Sequence, residues 1–407
     1  LHPVAGIRDL DSSLVGSEMC IRDRVRSKGV LVAERSGVIG RAFAENFTER
    51  GELGASLSVW KDGEEVLSLA RGYRGRDRER AWESSTLVPF WSATKGLAAT
   101  CALKAADEAG IALGDPVVSV WPGFGRAGKS GITLEQILSH QAGLVALDQD
   151  VSMYEYEAVI SAIEDQRPHW RPGEAHGYHP RVFGFLLDEI VRRVTGKKLG
   201  EYFRELFGRL LGLDLWIGLP REQHSRVATL YAGKMSDPDG EADFYKAFAT
   251  PGSLTRRAFA SPAGLPAVSG MNAPEAWSAG WPAMGGVGTA SSLAKFYAVL
   301  AAGGTWGGER FVSEAVAERM SSSLVTGADQ VFLLPTAFSA GFMKDAPDGH
   351  KRLFGSSASA FGHPGAGGSL AFADPENGIS FAYVMNQMSY GVLPGPRALS
   401  LVDAIYG

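Results

Sequence analysis

The chain has 407 residues, of which 45% are hydrophobic and 21% are charged, and its formal net charge is −5. This length suffices for two hydrophobic cores, or for one large domain with an insertion. The charge argues against nucleic acid and anionic membranes as partners, and no apolar run approaches the roughly 18 residues that span a bilayer. With only Cys20 and Cys101 present, a disulfide framework is excluded, and a cytoplasmic location is expected.

Residues 1–30 show neither helix nor strand periodicity, and they lack the basic–apolar–small layout of a signal peptide. Residues 11–24 look like a translated library adaptor. We therefore expect residues 1–30 to be a non-native or disordered segment outside the fold. A native signal peptide missing from this segment is the alternative to a cytoplasmic location.

The fold is expected to begin near Val30 with an amphipathic helix that ends by Gly51. Residues 55–60 and 65–70 are apolar stretches on either side of an Asp-Gly turn, and this pattern predicts a β-hairpin.

Ser92 follows this hairpin and begins a stretch with helical periodicity. Lys95 lies one turn further on the same face, so its amine can reach the Ser92 hydroxyl. A serine needs such a neighbouring base to act as a nucleophile, and the start of a helix favours developing negative charge. Ser-x-x-Lys alone is a weak signal, because Ser58 and Ser292 begin two further copies in a predicted strand and on the polar side of a predicted helix.

The middle of the chain has mostly helical signals. Thr133 and Gln136 form a capping box. Residues 182–195 predict a strong helix with Gly196 as its stop, and residues 199–210 repeat the pattern. Residues 235–285 are rich in Pro, Gly, Ala and Ser, and they are expected to form long loops.

The last part returns to alternating patterns after a predicted helix at 291–302. Strands are predicted at 337–343, 369–373 and 379–386, and a short helix at 397–406. The chain is therefore expected to be α+β, with an antiparallel sheet flanked by helices and an inserted mostly helical domain. The expected division is 31–110 plus 286–407 for the sheet-containing α/β domain and 111–285 for the helical one.

Two loops carry possible chemistry. A Pro/Gly-rich loop delivers Tyr178 just before a helix, and this tyrosine could act as a base beside a cation, or simply pack at the helix entry. His169, His176 and His179 lie in or near this loop, but their spacing fits no zinc pattern, so no metal is expected.

The second loop is the Gly-rich stretch 361–369, which contains His363, Gly365 and Ala366 directly before a predicted strand. Its glycines would let the backbone approach a ligand, and an edge-strand N–H could serve as an oxyanion donor; a plain turn between strands is the alternative. The chain has no Gly-x-Ser-x-Gly elbow and no Gly-rich nucleotide fingerprint, so no cofactor is expected.

Taken together, Ser92-x-x-Lys95, Tyr178 and His363-x-Gly365 occur in the order and rough spacing of the serine β-lactamase-like family. The chain resembles most closely the family VIII carboxylesterases, which are related to class C β-lactamases and D-alanyl-D-alanine carboxypeptidases. Residues 132–144 and 285–290 support the resemblance, which covers roughly residues 34–406.

This resemblance implies a β-lactamase-like fold with the site in the cleft between the sheet and the helical domain. Ser92 would be the acylated nucleophile, and Lys95 with Tyr178 would take and return its proton. The resemblance does not decide which of the two is the base. The N–H groups of Ser92 and Ala366 would form the oxyanion hole.

Two departures from the family pattern concern the substrate. Pro180 stands where class C β-lactamases have an asparagine, two positions after the tyrosine. His363 replaces the lysine of the third motif, and Lys129-Ser130-Gly131 is a misplaced copy of that motif. Loss of the lysine removes a fixed positive charge and favours neutral esters. His363, Gly365 and Trp91 are expected to line the substrate site.

The expected function is therefore hydrolysis of short-chain carboxylic esters, with a small-molecule ester as the substrate. The alternatives are a β-lactamase or D-Ala-D-Ala carboxypeptidase, an acyltransferase, or a non-catalytic binding or self-assembling protein of this fold. The sequence leaves the oligomeric state open.

Overall fold

The computed structural model describes residues 30–233, 241–347 and 351–407. The expectation for the N-terminal segment therefore lies outside the described residues, except that Val30 begins the first helix. None of the described helices is long and apolar enough to cross a membrane.

The helices and strands are numbered separately in chain order. The α-helices are α1 (Val30–Thr48), α2 (Thr94–Glu108), α3 (Leu134–Leu138), α4 (Tyr156–Asp165), α5 (Val182–Thr195), α6 (Leu199–Phe203), α7 (Ala242–Ala249), α8 (Leu254–Ala260), α9 (Pro274–Ala279), α10 (Ala290–Ala301), α11 (Glu314–Ser321) and α12 (Pro396–Tyr406). The strands are β1 (Gly54–Lys61), β2 (Glu64–Gly72), β3 (Val88–Pro89), β4 (Leu215–Ile217), β5 (Gly286–Gly288), β6 (Thr305–Trp306), β7 (Glu309–Arg310), β8 (Val325–Ala328), β9 (Pro335–Phe338), β10 (Met343–Lys344), β11 (Phe361–Pro364), β12 (Leu370–Asp374) and β13 (Ile379–Met385). Short 3-10 helices cover Trp91–Ala93, Val117–Ser119, Pro122–Gly128, Arg221–Arg226 and Val268–Asn272, and a π-helical turn covers Arg204–Arg209.

The main sheet has eight antiparallel strands in the order β2-β1-β13-β12-β11-β10-β9-β8. Strands from opposite ends of the chain lie side by side in this sheet, because β1 pairs with β13 from Ala55↔Met385 to Lys61↔Ile379. The predicted hairpin is confirmed, and its turn residues Asp62 and Gly63 have φ of 50° and 82°, as a tight turn of this kind requires.

Helices cover both faces of this sheet. Ser380 of β13 donates a hydrogen bond to a carbonyl of α10, and α10 packs along β1, β12 and β13. Tyr383 lies three residues further, on the opposite face, where α1 packs against α12. Every residue of β13 is buried. The predicted α+β class, an antiparallel sheet flanked by helices with a mostly helical insertion, is confirmed.

The helical region begins after α2 and keeps several of its predicted local signals. The capping box of Thr133 and Gln136 is present, with both hydrogen bonds formed. Gly196 ends α5 in the left-handed conformation. One continuous hydrophobic cluster includes residues of the sheet and of the helical region, so the domain boundaries at residues 111 and 285 stay a prediction.

Three elements differ from the sequence prediction. The stretch expected to be long loops contains α7, α8 and α9 within its described part, residues 241–285. These helices are six to eight residues long, too short for their periodicity to stand out from a Pro/Gly/Ala/Ser-rich composition. The strand predicted at 337–343 is interrupted between β9 and β10, and residues 361–364 of the Gly-rich stretch form β11 inside the sheet.

Candidate active site

Ser92 lies in a 3-10 turn that leads directly into α2. The residue before it, Trp91, has φ of +52°, a backbone conformation that costs a non-glycine residue about 1–3 kcal/mol and that is found at functional sites. Ser92 is the one residue between positions 86 and 103 that is not buried. The turn therefore presents the hydroxyl at the surface of an otherwise closed core.

Strand β5 holds this turn in place. The Phe90 N–H donates to the Gly286 carbonyl at 3.1 Å. The Thr94 hydroxyl donates to the Trp91 carbonyl at 2.5 Å and accepts from the Gly286 N–H at 2.8 Å. A Cβ atom at Gly286 would overlap the Phe90 ring. Residues 285–290, which the sequence analysis used only to support the family resemblance, thus help to position Ser92.

Lys95 is fully buried on the first turn of α2. Its Nζ lies 2.9 Å from the Pro180 carbonyl, 3.0 Å from the Ala283 carbonyl and 3.4 Å from Ser92 Oγ. Burial holds the pKa of Lys95 well below its ordinary value of 10.5. A neutral amine has two N–H groups and one lone pair. In the neutral form the two carbonyls take both N–H groups, and the lone pair is left for the Ser92 hydroxyl; in the ammonium form Nζ donates to Ser92 Oγ.

Tyr178 is buried beside this pair. The Lys95 Nζ lies 4.7 Å from the centre of its ring, and the ring of Phe332 stacks on its other side with the centroids 4.5 Å apart. Burial raises the pKa of Tyr178, the charge of Asp329 raises it further, and a hydrogen bond to the Ser92 side chain acts in the opposite direction. Burial therefore favours the protonated phenol at Tyr178 and the neutral amine at Lys95.

Asp329 fixes the backbone of Tyr178, a role that sequence reasoning missed. Its buried carboxylate accepts the Tyr178 N–H at 3.1 and 3.0 Å. It also accepts the N–H groups of Val331 and Phe332, and the hydroxyl of Thr336. No sequence motif marks this aspartate, because its main partner lies 151 residues away.

The segment after β11 meets the Ser92 turn at the glycine of the His363-x-Gly365 motif. Strand β11 lies between β12 and β10 in the sheet, and β10 pairs with it at Gly362 alone among the described residues. A Cβ atom at Gly365 would overlap the Phe90 carbonyl oxygen. Ala366 follows at once, and it is the one residue between 360 and 374 that is not buried.

The Ser92 and Ala366 N–H groups share a second property. Neither donates a hydrogen bond to any described part of the chain. The structure thus places Ser92 and Ala366, two partly exposed residues, in two touching segments, and the oxyanion hole that their N–H groups were expected to form stays a prediction.

His363 is buried, and its ring centroid lies 5.8 Å from that of Tyr178. Its Nδ1 lies 2.7 Å from the Pro364 carbonyl oxygen, which can only accept, so Nδ1 carries the proton. Burial lowers the pKa of His363 to about 3, and the ring is neutral. Trp91 is also mostly buried, and its role in lining the substrate site stays a prediction.

The remaining histidines of the Tyr178 region have structural partners. His179 Nδ1 donates to the Gly177 carbonyl at 2.7 Å, and its Nε2 accepts the Leu144 N–H at 3.1 Å. His176 bonds to the Thr336 hydroxyl. The described residues contain no group of three or more metal-ligating side chains that could hold a metal ion. Lys129, in the misplaced copy of the third motif, donates to three carbonyls within the helical region.

The fold and the site together define a hydrolase of the β-lactamase fold. The fold is an antiparallel sheet with helices on both faces and a helical insertion, and the site contains a serine–lysine pair at the start of α2. The chain belongs to the beta-lactamase family, whose sequence model matches residues 40–403.

Known proteins from several sources are similar to it. The "Esterase/beta-lactamase LipL" of Mycobacterium tuberculosis (strain ATCC 25618 / H37Rv) is 33% identical over 363 residues, 87% of this chain and 82% of that protein. A penicillin-binding protein homologue from Caulobacter crescentus is 36% identical with a TM-score of 0.81, and a family VIII carboxylesterase is 34% identical with a TM-score of 0.82. Each of these two alignments covers 91% of this chain and 96% of the other.

Proposed function

We propose that this protein is a serine carboxylesterase that hydrolyses short-chain esters through an acyl-enzyme on Ser92. The observation that carries the proposal is the environment of Lys95, a fully buried amine whose Nζ lies 3.4 Å from Ser92 Oγ while two carbonyls take its N–H groups. Burial favours the neutral form of such a lysine, and this form can accept a proton from serine, which is the activation that a serine nucleophile needs.

The steps follow from these positions. Lys95 takes the Ser92 hydroxyl proton as Oγ attacks the ester carbonyl carbon, and the Ser92 and Ala366 N–H groups bond the resulting oxyanion. The C–O bond to the leaving alcohol then breaks, and Tyr178 gives its phenol proton to the leaving oxygen and regains one from the Lys95 ammonium. Water repeats the sequence in reverse and releases the acid. The lowered pKa of Lys95 and the raised pKa of Tyr178 support this division of roles.

Neutral esters fit the site better than carboxylate-bearing substrates. His363 occupies the position of the third-motif lysine, and its neutral ring supplies no positive charge for an anion. Pro180 has no side-chain amide to hold that of a β-lactam, and its carbonyl is used by Lys95. The names of two similar proteins, a family VIII carboxylesterase and an esterase/beta-lactamase, support the same substrate class.

The test is hydrolysis of p-nitrophenyl esters from acetate to octanoate by the wild type and by Ser92→Ala, with intact mass after treatment with a phosphonate probe. We expect the Ser92→Ala variant to lose activity and the wild type to gain one adduct on Ser92. Ser292→Ala is the matched control, because Ser292 begins another Ser-x-x-Lys sequence but accepts a backbone hydrogen bond from Asp214. Full activity in Ser92→Ala would refute the nucleophile.

A second candidate, β-lactamase activity, is favoured by the name of the mycobacterial relative. Turnover of a chromogenic cephalosporin at a rate above that of the esters would favour it over the esterase. Transfer of the acyl group to an added alcohol would indicate an acyltransferase. No ester turnover and no adduct in the wild type would favour a non-catalytic binding or self-assembling protein.

A further inference from the structure

A buried ion pair that the proposed reaction does not use lies between Glu52 and Arg397. Their side chains are 0% and 8% exposed, and Arg397 Nη1 lies 2.9 Å from a Glu52 oxygen. The Tyr383 hydroxyl donates to the other Glu52 oxygen, and the Asn46 side-chain amide donates to the Arg397 carbonyl at 3.0 Å. The pair thereby ties the end of α1, strand β13 and the start of α12 into one unit.

The rest of the Arg397 guanidinium bonds to a single hydroxyl. Nη2 and Nε donate to Ser389 Oγ at 2.6 and 3.2 Å. Ser389 lies in the irregular segment between β13 and α12. Because a planar guanidinium fixes its partners by geometry as well as by charge, this contact anchors the Ser389 backbone to the buried pair.

A chain of hydrogen bonds runs from Ser389 to the oxyanion segment. The Ser389 N–H donates to the Gly367 carbonyl at 2.8 Å. The Gly367 carbonyl and the Gly368 N–H belong to one peptide group, and this Gly368 N–H donates to the Gly365 carbonyl at 3.1 Å. The Gly365 carbonyl in turn belongs to the same peptide group as the Ala366 N–H. Two peptide groups in series therefore connect Ser389 to the amide that is placed to bond the oxyanion.

The turn formed by residues 365–368 is tightly packed on both sides. Gly367 and Gly368 have φ of +85° and +116°, and a Cβ atom at Gly367 would lie 2.5 Å from the Met388 Cβ. On the other side Gly365 touches the Phe90 carbonyl. The turn is thus clamped between the Ser92 turn and the segment that Arg397 anchors, and hydrogen bonds in such a chain also polarise one another.

We propose that Arg397 is a positioning residue for the oxyanion hole, acting through Ser389 and the Gly367–Gly368 and Gly365–Ala366 peptide groups to aim the Ala366 N–H. The inference rests on the proposed ester hydrolysis at Ser92. It assigns a role in the reaction to a residue that contacts neither the substrate nor the nucleophile.

The test compares p-nitrophenyl acetate with its thionoacetate, in which sulfur replaces the carbonyl oxygen. Sulfur is a weak acceptor, so an aligned oxyanion hole favours the oxygen ester and a misaligned one favours it less. In Arg397→Met and Ser389→Ala we expect kcat for the acetate to fall about tenfold to 100-fold. KM should change little, and the acetate-to-thionoacetate ratio of kcat/KM should fall with kcat. Arg397→Lys, which keeps the charge but loses the planar fork that bonds Glu52 and Ser389 through separate nitrogens, should be intermediate.

Controls separate positioning from a loss of folded protein. Ser389→Ala keeps the Glu52–Arg397 pair, so it tests the proposal even where Arg397→Met does not fold. Lys129→Met removes another buried cation, one that bonds only carbonyls of the helical region, and it should leave the substrate ratio unchanged.

An unchanged ratio in Ser389→Ala, or a parallel loss on both substrates, would overturn the positioning role while leaving ester hydrolysis intact. A wild type without Ser92-dependent hydrolysis would overturn the proposed function and this inference together.

Discussion

Replacement of the Thr94 hydroxyl tests directly whether its hydrogen bonds hold the Ser92 turn in position. This hydroxyl donates to the Trp91 carbonyl and accepts the Gly286 N–H, so one side chain joins the strained residue, the nucleophile's helix and strand β5. Thr94→Val keeps the shape and removes both bonds. The Trp91 carbonyl retains the backbone N–H of residue 94 as a donor, whereas the buried Gly286 N–H loses its acceptor.

The expected loss of stability follows from that orphaned amide. Leaving a buried donor unsatisfied costs about 1–3 kcal/mol. The left-handed conformation of Trp91 costs about 1–3 kcal/mol, and the two hydrogen bonds of the Thr94 hydroxyl help to hold it. Without these bonds the turn should relax and move Ser92. A displacement of about 1 Å at a reacting group lowers the rate by about 100-fold. We expect kcat for p-nitrophenyl acetate to fall by about tenfold to 100-fold.

The assay pairs urea unfolding with steady-state kinetics, and Thr100→Val is the control. Thr100 lies on the same helix, is fully buried, and donates its hydroxyl to the Gly96 carbonyl within the helix at 2.8 Å. Its replacement should cost about 0.5–1.5 kcal/mol and leave kcat unchanged. If Thr94→Val loses no more kcat than Thr100→Val, the turn does not depend on this hydroxyl and the reasoning is wrong.

Two further outcomes follow from the groups around Ser92. The base must be neutral, and burial holds the pKa of Lys95 well below 10.5. We therefore expect kcat/KM to rise with pH to a plateau, with the midpoint of the rise well below 10.5. A midpoint near 10.5, or a fall in kcat/KM between about pH 6 and about pH 9, would contradict the assignment of Lys95 as the base. Asp329→Asn removes one acceptor oxygen from the Tyr178 N–H, so hydrolysis of ethyl acetate, whose alkoxide needs a proton from Tyr178, should slow more than that of p-nitrophenyl acetate. Equal slowing of the two esters, measured as kcat, would count against Tyr178 as the acid.

Elements set by neighbouring residues could be predicted from the sequence. The Asp62–Gly63 turn, the capping box of Thr133 and the left-handed Gly196 each depend on residues within one turn of the chain. Helices α7 and α8 were missed because their packing is long-range, as where the Thr255 hydroxyl bonds the Val331 carbonyl, and their short length carried no clear periodicity.

The candidate site divides in the same way. Ser92 and Lys95 are one helical turn apart and were found as a motif. The partners that fix them were not, since Thr94 meets Gly286 across 192 residues and Asp329 meets Tyr178 across 151. Composition and spacing contain no signal for contacts at that separation, which arise only when the sheet and the helical region fold together.

The pairing of β1 with β13 has a consequence for how the protein is made. On the ribosome the β1–β2 hairpin emerges early, but the partner of its inner edge follows roughly 300 residues later, on the order of 15–60 s at cellular rates of synthesis. During that interval β1 presents an unpaired row of N–H and C=O groups, the kind of edge that recruits other strands. The junction between β1 and β13 is thus a vulnerable part of the sheet during translation, and chaperone capacity is expected to limit the yield of this protein.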